Sequence, residues 1–218
     1  MKKKIAIIGL GRFARQLARQ LYKDGIEVIA VDIDRLKIEQ ITDAVTIAVQ
    51  LDCTDEAALR SQGIDKVDVA VIGVREDFET LVLTTVILKS MGVKKIYCRA
   101  ERQVHSDILK RIGADQIIMP EDEAATRWSG RLGSPHIKDK LNFAPGYSLV
   151  EYTTPKSFDG QSIIKLDLRK KFNINVIALN PNDGSEMVSI PTPETIVSEN
   201  DTLWLVASED SLAKLPSK

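Results

Sequence analysis

Residues 4–14, KIAIIGLGRFA, join an apolar strand signal to a glycine-rich turn and the start of a helix. The turn spells Gly-x-Gly-x-x-Ala, with Gly9, Gly11 and Ala14 at its small positions, and in this setting the pattern indicates dinucleotide binding. Gly9 permits the tight turn, Gly11 lets a phosphate approach the backbone, and Ala14 allows close packing of helix on strand. The stretch therefore predicts a nucleotide phosphate site at the N-terminus of the first helix.

Around this stretch, short β-branched runs alternate with amphipathic segments. Strands are predicted at residues 4–10, 27–31, 45–50, 67–72, 95–98 and 116–119. Helices are predicted at residues 13–23, 55–62 and 77–91, with Thr54 capping the second and Gly92 ending the third. Strands that alternate with helices predict an α/β fold with a Rossmann-like, doubly wound parallel sheet.

The C-terminal third of the chain has a different composition. Pro120 is the only one of eight prolines before residue 134, and breakers cluster in residues 130–145. We predict a nucleotide-binding domain over residues 1–132, then a linker and a small α+β lobe over residues 133–218. The predicted elements of the lobe are strands at 147–153, 176–179, 186–190 and 202–207 and helices at 162–172 and 209–215.

The overall charge excludes some classes of protein. Lys and Arg number 30 and Asp and Glu 31, so the net charge is −1 and a general nucleic-acid binder is not indicated. No apolar run approaches the roughly 18 residues of a membrane span. Two cysteines supply neither a disulfide framework nor a metal pattern. We expect a cytoplasmic protein without a nucleic-acid partner.

Three residues near the glycine turn are candidate nucleotide contacts. Asp32 ends the second predicted strand, where a carboxylate accepts ribose hydroxyls and disfavours a 2′-phosphate. Arg12 and Phe13 lie within the turn itself. The Arg12 cation is placed to meet phosphates of its own subunit or of a neighbour, the alternative being a solvated arginine at a helix start.

Further candidates follow the other predicted strands, whose carboxyl ends line the ligand crevice of such sheets. Asp52 and Cys53 follow the third strand, and Gly73 follows the fourth. Cys53 is interpreted as a small packing residue beside the base rather than a nucleophile, since no histidine is near it in sequence. Arg99 and Glu121, after the fifth and sixth strands, either reach the same crevice or pair with each other at the surface.

Catalytic groups are scarce in this sequence. It has no P-loop, and its two histidines, His105 and His136, have neither catalytic nor metal-binding spacing. The sequence therefore predicts nucleotide binding without enzymatic activity.

Six segments together resemble a known family. They are GLGRFA, VDID, LDCTD, GVREDFETLVLTT, CRAE and GADQIIMPEDE. In order and spacing they are similar to an RCK domain (TrkA-N followed by TrkA-C), the cytosolic regulator of conductance of potassium in Ktr/Trk-type bacterial uptake systems. The resemblance covers nearly the whole chain.

The resemblance implies a regulatory subunit whose dimers assemble into a ring, commonly an octamer, on the cytosolic face of a membrane potassium channel subunit. The N-terminal lobe would bind ATP or ADP, or NAD(H) as in some relatives, and the nucleotides would stabilise different ring shapes that pull on the pore gate. By the same resemblance Arg12 contacts phosphate across the dimer, and Glu121 lies near the γ-phosphate and a divalent cation. Asp52, Cys53 and Gly73 would flank the base.

The resemblance also implies a second ligand, because the C-terminal lobe of some relatives binds cyclic di-AMP at the dimer interface and is thereby inactivated. The matching residues here are Ile163, Ile164, Leu168, Arg169, Asn175 and Pro191. Arg169 would meet phosphate and Pro191 would pack on adenine. The alternative is structural, since paired isoleucines suit a helix core and proline suits a turn.

Two other functions stay open at this point. An NAD-dependent oxidoreductase shares the N-terminal motif but needs a larger second domain with acid–base residues. An NAD-responsive redox sensor would use Cys53 or Cys98 as its switch. The apolar residues of the segment 77–91, more than one sheet face needs, favour self-association and hence the ring-forming subunit.

Overall fold

The structure, a computed structural model, describes residues 2–75, 77–184 and 186–215. The chain divides into two compact units, Met1–Glu121 and Asp122–Lys218. The described part of the first unit has six strands: β1 (Lys4–Ile8), β2 (Glu27–Asp32), β3 (Ile47–Gln50), β4 (Val69–Ile72), β5 (Ile96–Arg99) and β6 (Gln116–Ile118). They form one parallel sheet in the order β3-β2-β1-β4-β5-β6.

This strand order confirms the predicted Rossmann-like sheet. The order reverses direction beside β1, and the crevice at such a reversal is where ligands bind in open α/β sheets. Alternate residues of β1 enter two different cores, with Ala6 and Ile8 on one face and Ile5 and Ile7 on the other. A strand buried on both faces reads as an uninterrupted apolar run, as β1 does.

Among the described residues, six α-helices connect and follow these strands: α1 (Arg12–Lys23), α2 (Arg35–Glu39), α3 (Glu56–Ser61), α4 (Phe78–Ser90), α5 (Gln103–Ile112) and α6 (Pro120–Gly133). An aspartate is the N-cap residue of three of these helices. The side chain of Asp34 accepts the N–H of Leu36 at the start of α2, and that of Asp55 accepts the N–H of Ala58 in α3. The side chain of Asp77 accepts N–H groups in the first turn of α4. Ala14 and Ala18 are the buried residues of α1, and their small side chains let it pack closely on the sheet.

The predicted cap of α3 is wrong. Asp55, not Thr54, is the N-cap residue, because both the N–H and the hydroxyl of Thr54 are bonded to Asp52. A one-residue shift of a cap leaves the helix itself where the pattern of residues 55–62 places it.

The second unit is built on an antiparallel sheet. Its described elements are β7 (Ile137–Ala144), β8 (Tyr147–Thr153), β9 (Gln161–Ser162), α7 (Ile163–Leu166), α8 (Leu168–Phe172), β10 (Asn175–Asn180), β11 (Val188–Ser189), β12 (Ile196–Val197), β13 (Thr202–Ser208) and α9 (Glu209–Leu212). Five strands pair in the order β11-β10-β13-β8-β7, and β9 pairs with β12. This is the predicted small α+β lobe, with Val150 and Leu205 in its core.

Two local features of this unit differ from the sequence-based expectation. The single helix predicted at residues 162–172 is two short helices, because Asp167 has a left-handed backbone (φ 50°) and lets both Leu166 and Leu168 enter the core. The segment 130–145, predicted to contain the linker, holds the end of α6 and the strand β7. Pairing with β8 forms β7 despite its polar sequence.

Candidate nucleotide-binding site

The glycine turn after β1 is packed directly against the loop that follows β4. Gly9 has a left-handed backbone (φ 84°), and a β-carbon there would lie 2.8 Å from the backbone nitrogen of Val74. A β-carbon on Gly73 would lie 2.7 Å from the carbonyl oxygen of Gly9 and 2.8 Å from Cβ of Ala14. These contacts require glycine at both positions, so the two loops meet backbone to backbone.

Helix α1 begins immediately after this turn. Its N-cap residue is Gly11, which has no side chain to accept the N–H groups of the first turn. Backbone N–H groups at a helix N-terminus attract phosphate through hydrogen bonding and through the helix dipole. The first turn of α1 thus has no side-chain acceptor from its N-cap residue, and phosphate binding at this turn stays a prediction.

Asp32 lies at the end of β2 and is only 6 % exposed. Its Oδ2 accepts the backbone N–H of Leu10 at 2.6 Å, and its Oδ1 accepts that of Asp34 at 2.8 Å. Lys37, in α2, places its ammonium 3.4 Å from Oδ2. The carboxylate is thus fixed by two backbone donors and balanced by a cation that the sequence-based reasoning did not include.

A cavity of about 980 Å³ opens at this edge of the sheet. All ten residues predicted as nucleotide contacts line it: Gly9, Gly11, Arg12, Phe13, Asp32, Asp52, Cys53, Gly73, Arg99 and Glu121. It is also lined by residues that were not predicted, among them Lys37, Arg75 and Thr80. Lys37 lies in α2, the helix that follows β2, and a basic residue five positions after Asp32 is a signal that could have identified it.

The segment after β3 has a polar and an apolar side chain in the cavity. Hydrogen bonds from the N–H and hydroxyl of Thr54 lower the pKa of Asp52. Burial raises the pKa of the Cys53 thiol, which lies 3.2 Å from the hydroxyl of Thr84. A neutral thiol is a poor nucleophile, so this environment favours a packing role for Cys53.

Charged side chains occupy the cavity edge beyond β4. Arg99, at the end of β5, has a side chain only 5 % exposed, and its Nη2 lies 2.5 Å from Oε1 of Glu121. Arg99 and Glu121 line the crevice and also pair with each other, although the Arg99 side chain is buried and not at the surface. A contact of either residue with a nucleotide stays a prediction. Glu101 lies 3.8 Å from Arg99 and 3.0 Å from Nε of Arg75.

Comparison with known proteins agrees with this geometry. Residues 5–120 match the TrkA-N domain, and residues 149–217 match the TrkA-C domain. The chain belongs to the TrkA-N/TrkA-C family. It is 33% identical to the Ktr system potassium uptake protein C of Bacillus subtilis (strain 168) over 218 residues, covering 100% of this chain and 98% of the relative. It is 30% identical to the Ktr system potassium uptake protein A of the same organism, covering 99% of this chain and 96% of the relative.

A solved structure shows the same fold as this TrkA-N/TrkA-C chain. The GsuK channel bound to NAD superposes with a TM-score of 0.66 at 18% identity, covering 98% of this chain and 38% of that chain. The chain thus spans well under half the length of the GsuK chain that it matches.

The candidate cyclic di-AMP residues all lie in the second unit, which contains the TrkA-C match. Leu168 is in the core at 3% exposed, and Ile163 packs against that core, whereas Ile164 is 65% exposed. Backbone hydrogen bonds join Ile163 to Thr195 and Ile164 to Pro193. Arg169 and Asn175 are exposed and Pro191 is half-buried. A contact between Leu168 and a ligand requires this core to open.

The described residues offer neither a clustered metal-ligand set nor a membrane-spanning helix. Within residues 2–75, 77–184 and 186–215, no three His, Cys, Asp or Glu side chains are grouped closely enough to hold a metal ion by themselves. In that same part of the TrkA-N/TrkA-C chain, no helix is both long and apolar enough to cross a bilayer.

Proposed function

We propose that this protein is a nucleotide-binding, non-enzymatic regulatory subunit that gates a membrane potassium channel or transporter of the Ktr/Trk type. The observation that carries the proposal is a match to Ktr potassium uptake proteins along the full chain, combined with a cavity at the reversal point of a Rossmann-like sheet. The protein acts from the cytosolic face of the membrane, as a peripheral partner of the pore-forming subunit.

ATP and ADP are the proposed ligands of the cavity. The N–H groups at the start of α1 bind phosphate, Arg12 adds a positive charge, and Asp32 holds the ribose. Glu121 holds a divalent cation together with the nucleotide phosphates. NAD(H) is the alternative ligand, which the NAD-bound GsuK channel supports, although another GsuK structure is bound to ADP.

Ring assembly from dimers, with an octamer as the expected size, is part of the proposal. Four apolar side chains on adjacent helices of the first unit are between 38% and 50% exposed: Leu83 and Val86 on α4, and Val104 and Ile108 on α5. Helices α4 and α5 pack on each other, so these side chains supply apolar surface that subunit contacts would bury.

Gating follows from a difference in ligand affinity between two ring shapes. A ligand shifts such an equilibrium only by the difference between its two binding free energies, and couplings of about 1–3 kcal/mol per site are typical. ATP and ADP differ by one phosphate, so charged residues of the cavity such as Arg12 and Glu121 carry the discrimination. Cyclic di-AMP binding in the second unit, at Ile164, Arg169 and neighbouring residues, is the proposed inhibitory input.

The test has a binding arm and a functional arm. Thermal unfolding with ATP, ADP, NADH and cyclic di-AMP at equal concentrations should show upward shifts with ATP and ADP, since a ligand at about 100 times its Kd adds roughly 2.7 kcal/mol. Co-reconstitution with a Ktr-type channel subunit in liposomes should then give potassium flux that differs between ATP and ADP. Flux that is equal with either nucleotide contradicts gating, and a shift with NADH alone favours the NAD-sensing alternative.

A further inference from the structure

Lysines cluster at the edge of the first sheet where the parallel strands begin, opposite to the edge with the cavity. The three residues that precede each of β1, β4 and β5 contain only one acidic residue but five lysines: Lys2, Lys3, Lys66, Lys94 and Lys95. All five are exposed, and we call them the lysine edge. Because the net charge of the whole chain is −1, the lysine edge is a local concentration of positive charge.

The strand order brings the five lysines close together. Strand β1 pairs with β4, and β4 pairs with β5, all in the same direction. Neighbouring strands lie about 4.8 Å apart, so the three strand starts lie within about 10 Å of one another. This span is close to the Debye length of about 8–10 Å at physiological ionic strength. The five charges therefore act on a facing charged surface as one patch.

Two aspartates beside the lysine edge balance only part of its charge. The Oδ2 of Asp68 accepts the backbone N–H of Lys4 at 3.0 Å, and its Oδ1 lies 3.0 Å from Nζ of Lys94. The Lys94 side chain stays 73% exposed in this pair, and an exposed ion pair is weak, so its ammonium is available to another anion. Asp65 is half-buried, and one of its carboxylate oxygens is fully enclosed. Five exposed lysines thus lie beside two carboxylates that are turned partly inward.

The acidic residues at the two neighbouring strand starts have partners of their own. Glu27, which begins β2, lies 2.7 Å from Nζ of Lys4. Asp115, just before β6, accepts the N–H of the first residue of β5 at 2.8 Å. Lys23 and Lys89, in the last turns of α1 and α4, add positive charge. A lysine at a helix C-terminus complements the helix dipole, but this reason does not apply to lysines that precede strands.

We propose that the lysine edge binds the anionic headgroups of a lipid bilayer and so places the first unit directly against the membrane surface. The inference goes beyond the proposed function and does not depend on it, because lipid binding needs no channel subunit. The cavity opens at the carboxyl ends of the same strands, so it faces away from the bilayer and stays accessible to nucleotide.

The chemistry of lysine favours a lipid surface over a protein partner. All five cations of the lysine edge are lysines, whose ammonium groups are compact, strongly hydrated and carried on flexible side chains. Lysine is depleted in the cores of protein–protein interfaces. Clusters of four to eight basic residues, in contrast, bind anionic headgroups through charge, without a shaped pocket. A fluid anionic surface therefore fits the lysine edge better than a rigid protein surface does.

The test measures how the full chain partitions onto sedimented vesicles of phosphatidylcholine, with and without phosphatidylglycerol. The variant removes one lysine at each strand start: Lys3→Gln, Lys66→Gln and Lys95→Gln. The wild type should bind only the vesicles that contain phosphatidylglycerol, and high salt should abolish this binding by screening the charges. The triple variant should bind about a hundredfold more weakly, since each lysine near an anionic surface contributes about fivefold.

A second triple variant is the matched control for the change in net charge. It carries Lys156→Gln, Lys165→Gln and Lys170→Gln, at three exposed positions of the second unit, and it should bind as the wild type does. Equal losses in the two triple variants, or equal binding of the wild type to neutral and anionic vesicles, overturn the inference.

Two further outcomes assign the lysine edge to a different ligand and also overturn the inference. Release of the wild type from vesicles by millimolar glycerol phosphate shows a site for a single free phosphate group. The first triple variant can also keep its vesicle binding and lose binding to a Ktr-type channel subunit in neutral lipid. That result assigns the lysine edge to an acidic protein surface.

Discussion

The carboxylate of Asp32 accepts the backbone N–H of Leu10 across 2.6 Å, and so ties the end of β2 to the glycine turn after β1. Its other oxygen accepts the N–H of Asp34 at 2.8 Å. Asp32 is therefore part of the loop's own structure before any ligand arrives. A residue expected to hold ribose also keeps the phosphate loop in shape.

Replacement of Asp32 by alanine should lower stability in the absence of nucleotide. The N–H of Leu10 would lose a charged acceptor, so we expect a loss of about 1–3 kcal/mol in the free energy of unfolding. Urea unfolding followed by circular dichroism measures it. Glu39→Ala, which removes an exposed pair with Arg35, is the control and should change stability by less than about 0.5 kcal/mol. A fully stable Asp32→Ala that merely fails to bind nucleotide would assign Asp32 to the ligand alone.

Gly11 and Gly73, in the two loops that pack on each other, should differ in how replacement by alanine changes stability and ATP binding. At Gly11 a β-carbon meets only the carbonyl oxygen of Gly73, at 3.8 Å, so Gly11→Ala should keep the free energy of unfolding within about 1 kcal/mol. The added methyl group occupies the approach of phosphate, and ATP affinity should fall more than about tenfold.

Gly73→Ala should instead disturb the fold, because its β-carbon would lie 2.7 Å from the carbonyl oxygen of Gly9. Overpacking of this kind destabilises by about 1–3 kcal/mol or more. Melting temperatures with and without ATP separate the two effects. Gly133→Ala, where nothing lies within 4 Å, is the control. If Gly11→Ala bound ATP normally, the phosphate site would lie elsewhere.

Alkaline pH should weaken the first unit through Cys98. Burial raises the pKa of this thiol from 9.0 to about 11. The native state holds the Cys98 proton more tightly than the unfolded chain does. The stability that the protonated thiol contributes is therefore fully present below pH 9 and is lost as the pH rises toward 11. A pKa difference of two units between the native and unfolded states corresponds to about 2–3 kcal/mol in the free energy of unfolding. Urea unfolding at pH 8 to 11 should show a steeper loss for the wild type than for Cys98→Ala, and parallel curves would contradict the assignment.

Acid should weaken the second unit through Asp139 in β7. A hydrogen bond from Arg127 holds the pKa of Asp139 well below its usual range, and Arg131 lies 3.1 Å from the same carboxylate. With a lowered native pKa, the stabilisation is present above pH 4 and is lost as the pH falls below it. Both tryptophans, Trp128 and Trp204, lie in this unit, so fluorescence reports on it.

The comparison for this acid effect is Asp139→Asn. The wild type should lose urea resistance between pH 5 and 3 more steeply than the variant, and the two should approach each other at low pH. Asp210→Asn, an exposed position, is the control. An identical acid dependence in wild type and Asp139→Asn would show that the Arg127 pair does not survive in solution.

The strands of the first sheet could be predicted from the sequence, because their local apolar pattern agrees with their buried position in the sheet. The strands predicted at residues 27–31 and 116–119 differ from β2 and β6 by one residue at most. The break at Asp167 was not predictable in the same way. IIKLDLRKKF has a helical pattern, and only the packing of both Leu166 and Leu168 into one core requires a left-handed residue between them.

For the candidate site, positions could be predicted but contacts could not. The hydrogen bond from Leu10 to Asp32 depends on the register that pairs Ile8 with Val31. The Arg99–Glu121 pair depends similarly on the alignment of β5 with β6, in which Arg99 is opposite Ile118. The ion pair of Arg75 with Glu101 joins two loops, for which a single sequence carries no periodic signal. The roles of these residues in binding stay predictions.

The packing of Gly9 against Val74 also sets an order of events during synthesis. Helix α1 and strands β1 and β2 form a local unit that can assemble as soon as it leaves the ribosome. The turn at Gly9 lacks its packing partner Val74 until β4 has been synthesised and has paired with β1. Strand β4 comes three strands later in the chain. At about 5–20 residues per second, the nascent protein spends several seconds with its phosphate loop unfinished. Nucleotide would therefore bind only after the central sheet has closed, as a late stabiliser of an almost complete domain rather than a template for it.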